Sequence, residues 1–546
     1  MPLGTIDYFQ QSFSEIEIKQ RVKTDNSVKN PAKKLFSGNR HAQAANNLSL
    51  RMAKKHLIFL FALNGRQKFF KMPILQPYHS NHLDTNGQNV MSVFHSVSDL
   101  IGHTPLLQLH KLDTGPCNLF LKLENQNPGG SIKDRVALSM ITQAEREGKL
   151  KPGGTIIEAT AGNTGLGLAL IAAQKNYRLI LVVPDKMSRE KIFHLRALGA
   201  QVQLTRSDVN KGHPAYYQDY ARRLADETPG AFYIDQFNNE ANPLAHATTT
   251  APEIFQQLEG DIDAIVVGVG SGGTLGGLQA WFAEHSPKTE FILADPAGSI
   301  LADQVETGRY GETGSWLVEG IGEDFIPPLA HLEGVRSAYR VTDSEAFATA
   351  RQLLQVEGIL AGSSTGTLLT AALRYCRSQT SPKRVVTFAC DSGNKYLSKM
   401  FNDDWMRQQG FLSRPSRGDL SDFIALRHDE GATVTAAPDD TLAAILARMR
   451  LYDISQLPVL ENGRVVGIVD EWDLISHVQG DSQRFALPVR EAMTRNVETL
   501  DKHAPESALK AIFDRGLVAV IADNDRFLGL ITRSDVLTTW RNRLEQ

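Results

Sequence analysis

The sequence predicts an α/β protein with a parallel sheet, followed by a smaller α+β module. Between residues 91 and 402, strand-like apolar segments alternate with helix-like segments, which is typical of buried parallel strands covered by helices on both faces. Four glycine-rich turns precede helices in this stretch. After residue 420, two similar units recur with an offset of 62 residues and indicate one pseudo-symmetric module built from two copies.

The elements follow in order along the chain. The predicted strands are residues 119–123, 155–158, 179–183, 263–269 and 385–389. The predicted helices are residues 136–150, 165–175, 189–198, 275–284 and 366–377 in the main domain, and 442–449 and 506–515 in the repeats.

Changes in composition predict the domain boundaries. Residues 1–90 are polar and without a sustained period, so they are either a loosely ordered extension or lie upstream of a true start at Met91. The main domain is predicted at 91–402, a polar linker at 403–420 and the module at 421–546, with halves at about 421–480 and 485–546.

Composition narrows the class of protein. The 546 residues are 42% hydrophobic and 22% charged, which is ordinary for a soluble globular protein. A net charge of −3 gives no reason to expect nucleic acid or a membrane surface as partner. Three cysteines without disulfide or metal-ligand spacing favour a reducing, cytoplasmic location and no metal site.

The first glycine-rich turn carries a lysine. Gly129 and Gly130 let the backbone turn tightly, and Lys133 follows at the start of a helix, where an anionic or electron-rich partner is favoured. An amine in this position is a candidate Schiff-base nucleophile. The alternative is an ordinary surface lysine after a turn.

The other three turns allow more than one interpretation. Residues 160–165 could bind a carboxylate through helix N–H groups and Asn163, or be a plain turn. Residues 268–274 suit a compact phosphate pocket, but their G-x-G-x-x-G pattern with Asp295 downstream also fits a dinucleotide-binding fold. Residues 360–366 could simply begin a helix capped by Ser363 or Ser364.

Taken together, the motifs indicate a protein family far more specifically than any single turn does. The sequences NPGGSIKDR (127–135), AGNTG (161–165), NNEANPLAH (238–246), GSGGT (270–274), VEGIG (318–322) and GSSTG (362–366) occur in this order. Residues 96–400 thereby resemble the fold-type II pyridoxal-phosphate enzymes of the cysteine synthase and cystathionine β-synthase group. The resemblance implies two parallel-sheet subdomains and pyridoxal phosphate as cofactor.

The resemblance also implies a role for each site residue. Lys133 would hold the cofactor covalently and act as the catalytic base, Asn163 would hydrogen-bond its ring hydroxyl, and Ser364 would face its ring nitrogen. The phosphate would be held by Gly270, Ser271, Gly272, Gly273 and Thr274, and the substrate carboxylate by Thr160, Ala161, Gly162, Thr164 and Gln236.

The implied chemistry is β-replacement. A serine hydroxyl does not favour a protonated ring nitrogen, so the cofactor is a weaker electron sink and prompt loss of a β-substituent is favoured. The paired repeat resembles the regulatory CBS module of cystathionine β-synthases, which implies serine and homocysteine as substrates. Cysteine synthase, or cystathionine synthesis from O-acetylserine, stays open as the alternative.

Two positions depart from the family pattern. Glu323 stands where animal and yeast members have tyrosine, and it is either a partner for the ammonium of homocysteine or a solvated loop residue. Ala161 replaces a more usual serine. Because no cysteine precedes Cys117, the haem ligands of animal members have no counterpart, and no haem is expected.

The resemblance extends to regulation. Thr532 and Asp535 fit the pair that holds the ribose of S-adenosylmethionine or an adenine nucleotide in such modules, whereas Asp470 and Asp473 do not. The competing interpretation is a purely structural dimerisation module. A homodimer or homotetramer is expected under both interpretations. A nicotinamide oxidoreductase and a non-catalytic adenosyl sensor are the rival functions, but each leaves several of the motifs unexplained.

Overall fold

The computed structural model describes residues 93–160, 162–185, 189–206, 208–209, 212–495 and 497–544. It also describes the backbone of the two-residue strands Ile58–Phe59 and Phe70–Lys71, which pair in antiparallel fashion. The chain divides into two units, residues 1–93 and 94–546. Apart from the two short strands, the predicted extension at 1–90 lies outside the described residues.

The larger sheet of the second unit has six strands. Its spatial order is Ser337–Val341, Glu290–Pro296, Ala264–Val267, Arg384–Phe388, Asn118–Lys122 and Leu106–Gln108. Five strands are mutually parallel, and only the edge strand Leu106–Gln108 pairs antiparallel with its neighbour. The central strands Ala264–Val267 and Arg384–Phe388 are rich in valine and almost wholly buried, as expected when helices cover both faces.

The smaller sheet has four parallel strands. Their order is Gln201–Thr205, Arg178–Pro184, Thr155–Ala159 and Ala231–Tyr233. The prediction of an α/β domain with two parallel-sheet subdomains is therefore confirmed.

Helices connect and cover the two sheets. The α-helices are Lys133–Arg146, Asn163–Gln174, Arg189–Ala197, Tyr217–Glu227, Ala241–Ala245, Ala251–Gln257, Gly273–His285, Leu301–Thr307, Asp343–Glu357, Ser363–Arg377 and Asp403–Gln408. A π-helix spans His246–Thr250, and 3₁₀ turns span Val97–Leu100, Glu124–Gln126, Leu332–Gly334 and Gly393–Tyr396. None of the helices in the described residues is long and apolar enough to cross a membrane.

The C-terminal module is built from two repeats of mixed α and β structure, as predicted. The first contains Leu442–Tyr452, Gln456–Glu461, Arg464–Asp470 and Glu471–Val478, with 3₁₀ turns at Ser482–Ala486 and Val489–Glu491. The second contains Thr499–Asp501, Ser507–Phe513, Ala519–Asp523, Arg526–Ile531 and Arg533–Leu544. Each repeat has its own apolar core.

The segment between the main domain and the module packs on both. Met406, in the helix Asp403–Gln408, is buried in the core of the larger sheet, and Phe411 packs against that core. Further along, the 3₁₀ turn Leu420–Phe423 contributes Leu420 and Phe423 to the core of the second repeat, and another turn follows at His428–Glu430. The second repeat is thus completed by residues that precede the first.

Candidate active site

The loops at the carboxyl ends of strands from both sheets surround one cavity of about 560 Å³. This is where parallel α/β folds place their ligands. The four predicted turns all contribute to it. The predicted site residues among those that line the cavity are Lys133, Thr160, Gly162, Asn163, Thr164, Gln236, Gly270, Ser271, Gly272, Thr274, Glu323 and Ser364.

Lys133 is the first residue of its helix and faces the cavity. Burial lowers the pKa of Lys133, while Cys390 and Glu323 nearby oppose the shift. A depressed pKa increases the neutral fraction of the amine, which is the form that attacks an aldehyde or accepts a proton.

The loop at 270–274 approaches its surroundings too closely for side chains. A Cβ at Gly270 would lie 2.6 Å from the backbone oxygen of Gly320, and Gly272 has a φ of +87°. The helix Gly273–His285 begins at this loop. Within the described part of the chain, the backbone N–H groups of residues 270–274 donate to no protein acceptor. They are therefore available for an anion such as a phosphate.

Two side chains hold the hydroxyls of this loop. The Nδ2 of Asn242 donates to the Oγ of Ser271 at 2.9 Å, and the Oγ1 of Thr274 lies 3.2 Å from the Nε2 of His246. Burial lowers the pKa of His246 well below its usual value, so the imidazole is neutral. Gly273 is not among the lining residues, and a side chain there would collide with Asn242.

Asn163 begins the helix Asn163–Gln174. Its Nδ2 donates to the Oδ2 of Asp391 at 2.9 Å, and its Oδ1 accepts from the Nζ of Lys395 at 2.6 Å. The residue predicted to contact a ring hydroxyl is thus restrained from behind by two charged side chains.

The predicted carboxylate-binding residues form a connected group. The Oγ1 of Thr164 donates to the Oε1 of Gln236 at 2.7 Å, and the Oγ1 of Thr160 accepts from the N–H of Gly162 at 3.1 Å. Behind them, burial raises the pKa of Glu158 to about 8, and its carboxyl accepts from the Nε2 of Gln236 at 3.4 Å. Ala161, predicted to belong to this group, lies outside the described residues.

Ser364 lies in the first turn of the helix Ser363–Arg377 and lines the cavity. The predicted alternative of a serine cap is wrong, since the N-cap is Gly362 and no side chain caps this helix. Ser364 contacts the thiol of Cys390, whose pKa burial raises to about 12. The single proton of that thiol points to the backbone oxygen of Phe388 at 4.0 Å, and the hydroxyl of Ser364 opposes the shift in the thiol pKa.

Glu323 and Asp324 both line the cavity, and Glu323 lies close enough to Lys133 for each to shift the pKa of the other. Burial raises the pKa of Glu323 to about 8, Asp324 adds to the shift, and Lys133 opposes it. Its backbone N–H donates to the Oγ of Ser299 at 3.1 Å, so the loop is fixed. Among the described residues, its carboxylate has no hydrogen-bond donor.

The segment that follows the strand Arg384–Phe388 joins three of the turns, and sequence reasoning missed it. The N–H of Ile132 donates to the oxygen of Cys390, and the N–H of Gly362 donates to the oxygen of Asp391, at 2.9 and 3.0 Å. The side chain of Asp391 then reaches Asn163. The position of this segment directly after a predicted strand could have indicated it, because loops at the carboxyl ends of parallel strands meet at one edge of a sheet.

The Thr532–Asp535 pair lies at the start of the helix Arg533–Leu544. The N–H and Oγ1 of Thr532 both donate to the Oδ2 of Asp535 at 2.7 Å, and the N–H of Asp535 donates back at 3.3 Å. Asp470 and Asp473 form the same reciprocal pair in the first repeat. In this structure both pairs cap helices.

No group of three or more metal-ligating side chains occurs among the described residues. Asp295, the acidic residue needed by the dinucleotide alternative, is buried and accepts from the N–H of Ala302 at 2.9 Å. One oxygen of its carboxylate is therefore already hydrogen-bonded within the fold.

The comparisons with known proteins agree with this geometry. Residues 97–391 match the family model described as pyridoxal-phosphate dependent enzyme, and residues 432–480 and 489–541 each match the CBS domain model. The chain is therefore a pyridoxal-phosphate-dependent enzyme, and that family implies pyridoxal phosphate as its cofactor. The cavity fits pyridoxal phosphate, because it has an amine facing it and a loop whose N–H groups can bind an anion.

Similar proteins narrow the family further. Cystathionine beta-synthase of Mus musculus is 40% identical over 69% of this chain and 68% of its own length. That of Dictyostelium discoideum is 35% identical over 82% of this chain and 92% of its own. The O-acetylserine dependent cystathionine beta-synthase of Helicobacter pylori is similar in structure, with a TM-score of 0.52 and 37% identity over 57% of this chain and 99% of that one. The chain belongs to the cystathionine beta-synthase family of β-replacing enzymes.

Proposed function

We propose that the protein joins L-serine and L-homocysteine into L-cystathionine and water, a step of transsulfuration and of cysteine biosynthesis. The observation that carries this proposal is the convergence of all four turns on one cavity in a chain that also has the paired CBS repeat. The cystathionine beta-synthase of Dictyostelium discoideum matches 82% of this chain, which is more than the main domain alone.

Pyridoxal phosphate, when bound, supplies an electron sink for the α-carbon of an amino acid. The N–H groups and hydroxyls of residues 270–274 would hold its phosphate, with Asn242 and His246 fixing the hydroxyls. Ser364 would face the ring nitrogen. A hydroxyl there leaves the nitrogen unprotonated, which favours β-replacement over transamination.

The proton transfers are assigned to Lys133. Its Nζ takes the proton from the α-carbon of serine and gives it to the departing β-hydroxyl, which leaves as water. The thiol of homocysteine then adds to the β-carbon, and its proton passes to the Nζ of Lys133. The same amine returns that proton to the α-carbon, so atoms and charges balance over the cycle.

The substrate groups are assigned to the opposite wall. Thr160, Gly162, Thr164 and Gln236, together with Ala161 on the evidence of the resemblance, would surround the carboxylate of serine. Glu323 would pair with the ammonium of homocysteine, because its carboxylate is close to Lys133 and has no donor of its own in the described structure.

The alternative first substrate is O-acetylserine. The observation that favours it is the similarity to the O-acetylserine dependent Helicobacter enzyme, which covers 99% of that chain. Cysteine synthase activity, with sulfide as the second substrate, belongs to the same alternative.

A product assay separates these functions. The purified protein is given serine or O-acetylserine as the first substrate, with homocysteine or sulfide as the second, and cystathionine and cysteine are quantified. We expect the highest kcat/KM for serine with homocysteine. A higher value for O-acetylserine with sulfide would reject the proposal in favour of cysteine synthase.

The C-terminal module and the assembly of the protein carry two further proposals. We assign Thr532 and Asp535 to the ribose of S-adenosylmethionine or an adenine nucleotide, although both side chains also cap a helix. Calorimetry with each ligand tests this assignment, and no heat from any of them favours a purely structural module. We further propose a homodimer or homotetramer, checked by light scattering, and a cytoplasmic location, which the absence of a disulfide among the three described cysteines supports.

A further inference from the structure

The side-chain amide of Asn163 has only one orientation that satisfies both of its neighbours. An asparagine amide offers an accepting oxygen and a donating nitrogen, and the two ends can exchange places. Here the Nζ of Lys395 lies 2.6 Å from Oδ1, and the Oδ2 of Asp391 lies 2.9 Å from Nδ2. An ammonium can only donate and a carboxylate can only accept, so exchanging the ends would oppose both contacts.

Both neighbours are themselves held in place. The Oδ2 of Asp391 also accepts from the hydroxyl of Tyr396 at 2.9 Å. The Nζ of Lys395 also donates to the backbone oxygen of Gly130 at 3.3 Å, in the turn that leads to Lys133. Burial lowers the pKa of Lys395, and the carboxylates of Asp134 and of the buried Asp391 oppose that shift and favour the ammonium form.

A count of protons shows what the amide has left to offer. Nδ2 carries two protons, of which one goes to Asp391. Within the described residues, no acceptor takes the second. Asn163 lines the cavity, whereas Asp391 and Lys395 do not. The remaining N–H is therefore the group that Asn163 can present to a ligand in the cavity.

We propose that Lys395 and Asp391 are positioning residues that fix the Asn163 amide so that it donates, and does not accept, toward the anionic ring oxygen of the cofactor. This inference rests on the proposed function, because it takes pyridoxal phosphate as the ligand. Lys395 acts through Asn163 and has no contact with the cavity itself. Its loss allows the amide to turn over and weakens the N–H that points into the cavity.

The test measures cofactor affinity on the full-length chain freed of cofactor. Dissociation constants are determined for pyridoxal 5′-phosphate and for its 3-deoxy analogue, which lacks the ring oxygen. Lys395→Met should weaken binding of pyridoxal phosphate about fivefold to tenfold and leave the analogue unchanged. Lys395→Arg, which keeps a cationic donor, should restore most of the affinity, and the exposed Lys149→Met serves as the matched control.

A second variant guards against a purely structural effect. In the Asn163→Ala background, Lys395→Met should cause no further loss of affinity for pyridoxal phosphate, because the amide through which it acts is gone. Three outcomes would overturn this inference and leave the proposed function standing. They are an equal loss of affinity for both compounds, no loss for either, and an additive loss in the Asn163→Ala background. A wild-type chain that binds neither compound would overturn the proposed function and this inference with it.

Discussion

The proposed cofactor side and the proposed substrate side of the cavity are built in different ways. On the proposed cofactor side, several polar groups are restrained from behind: Asn242 and His246 hold the hydroxyls of the loop at 270–274, and Lys395 holds Asn163. On the substrate side, Thr164 and Gln236 satisfy each other, and Glu323 has no hydrogen-bond donor among the described residues. A permanent ligand is thus met by preorganised donors, and a transient one by groups that must exchange partners.

The largest effect is expected where the two sides meet, at Lys133. Replacing Lys133 by Ala removes the amine that we propose moves the substrate proton, so turnover should fall by roughly 10²–10⁴-fold or more. Steady-state cystathionine formation is the measurement, with Lys149→Met as a surface control. Full activity in Lys133→Ala would remove the lysine from the mechanism.

The next effect tests the preorganised side. Asn242→Ala deletes the donor to Ser271 and should weaken cofactor binding about tenfold, because a buried hydrogen-bond acceptor of the loop loses its partner. Titration of the cofactor-freed protein measures the change. Thr248→Ala, an exposed position in the adjoining π-helix, is the control and should bind as the wild type does.

If Asn242→Ala and Thr248→Ala bind the cofactor equally well, then the loop does not depend on its supporting residues. In that case the contrast between the two sides of the cavity would be lost.

The third effect tests the substrate side. At pH 8.5, where the carboxyl of Glu323 is largely ionised, Glu323→Gln should raise the KM for homocysteine about fivefold to tenfold and leave the KM for sulfide unchanged, because only homocysteine carries an ammonium. The two KM values are measured with the same first substrate. Equal changes for both thiols would make Glu323 a general determinant of the loop and not a partner of the ammonium.

The pH dependence sharpens this prediction. Burial raises the pKa of Glu323 to about 8, so its carboxyl is largely protonated below that pH and attracts an ammonium less. The KM for homocysteine should therefore fall as pH rises from 7 to 8.5 in the wild type. The fall should be smaller in Glu323→Gln, since the thiol of homocysteine titrates equally in both proteins.

The smallest effect concerns the stability of the substrate wall. Burial raises the pKa of Glu158 to about 8 from a usual value near 4.5, so the folded state holds this proton more tightly than the unfolded chain. The protonated carboxyl of Glu158 therefore stabilises the folded state below pH 4.5, and this stabilisation is lost as pH rises toward 8. Urea unfolding at pH 5 and pH 9 should show Glu158→Gln losing less stability than the wild type, by on the order of 1 kcal/mol. The same loss in both proteins would mean that Glu158 is already ionised at pH 5.

The turns of the site could be predicted from sequence because each carries its information locally. The loop around Lys133 and the loop at 270–274 are marked by glycines that permit close approach and by helix starts that present N–H groups. The alternation of buried strands and helices likewise predicts the parallel sheets, since that pattern depends on near neighbours in the chain.

The supporting residues could not be predicted in the same way. Asp391 and Lys395 are separated from Asn163 by more than two hundred residues and come together only when the strand Arg384–Phe388 takes its place in the sheet. His246 is an ordinary histidine until burial and the contact with Thr274 give it a role. Such contacts follow from the order of strands, which the local pattern does not specify.

The central claim, that four turns form one cofactor site anchored at Lys133, has a direct test. The purified protein is incubated with pyridoxal phosphate, reduced with borohydride, digested and mapped by mass spectrometry. We predict a single pyridoxyl-phosphate adduct on the peptide that contains Lys133. An adduct on another lysine, or none on any peptide, would contradict the claim.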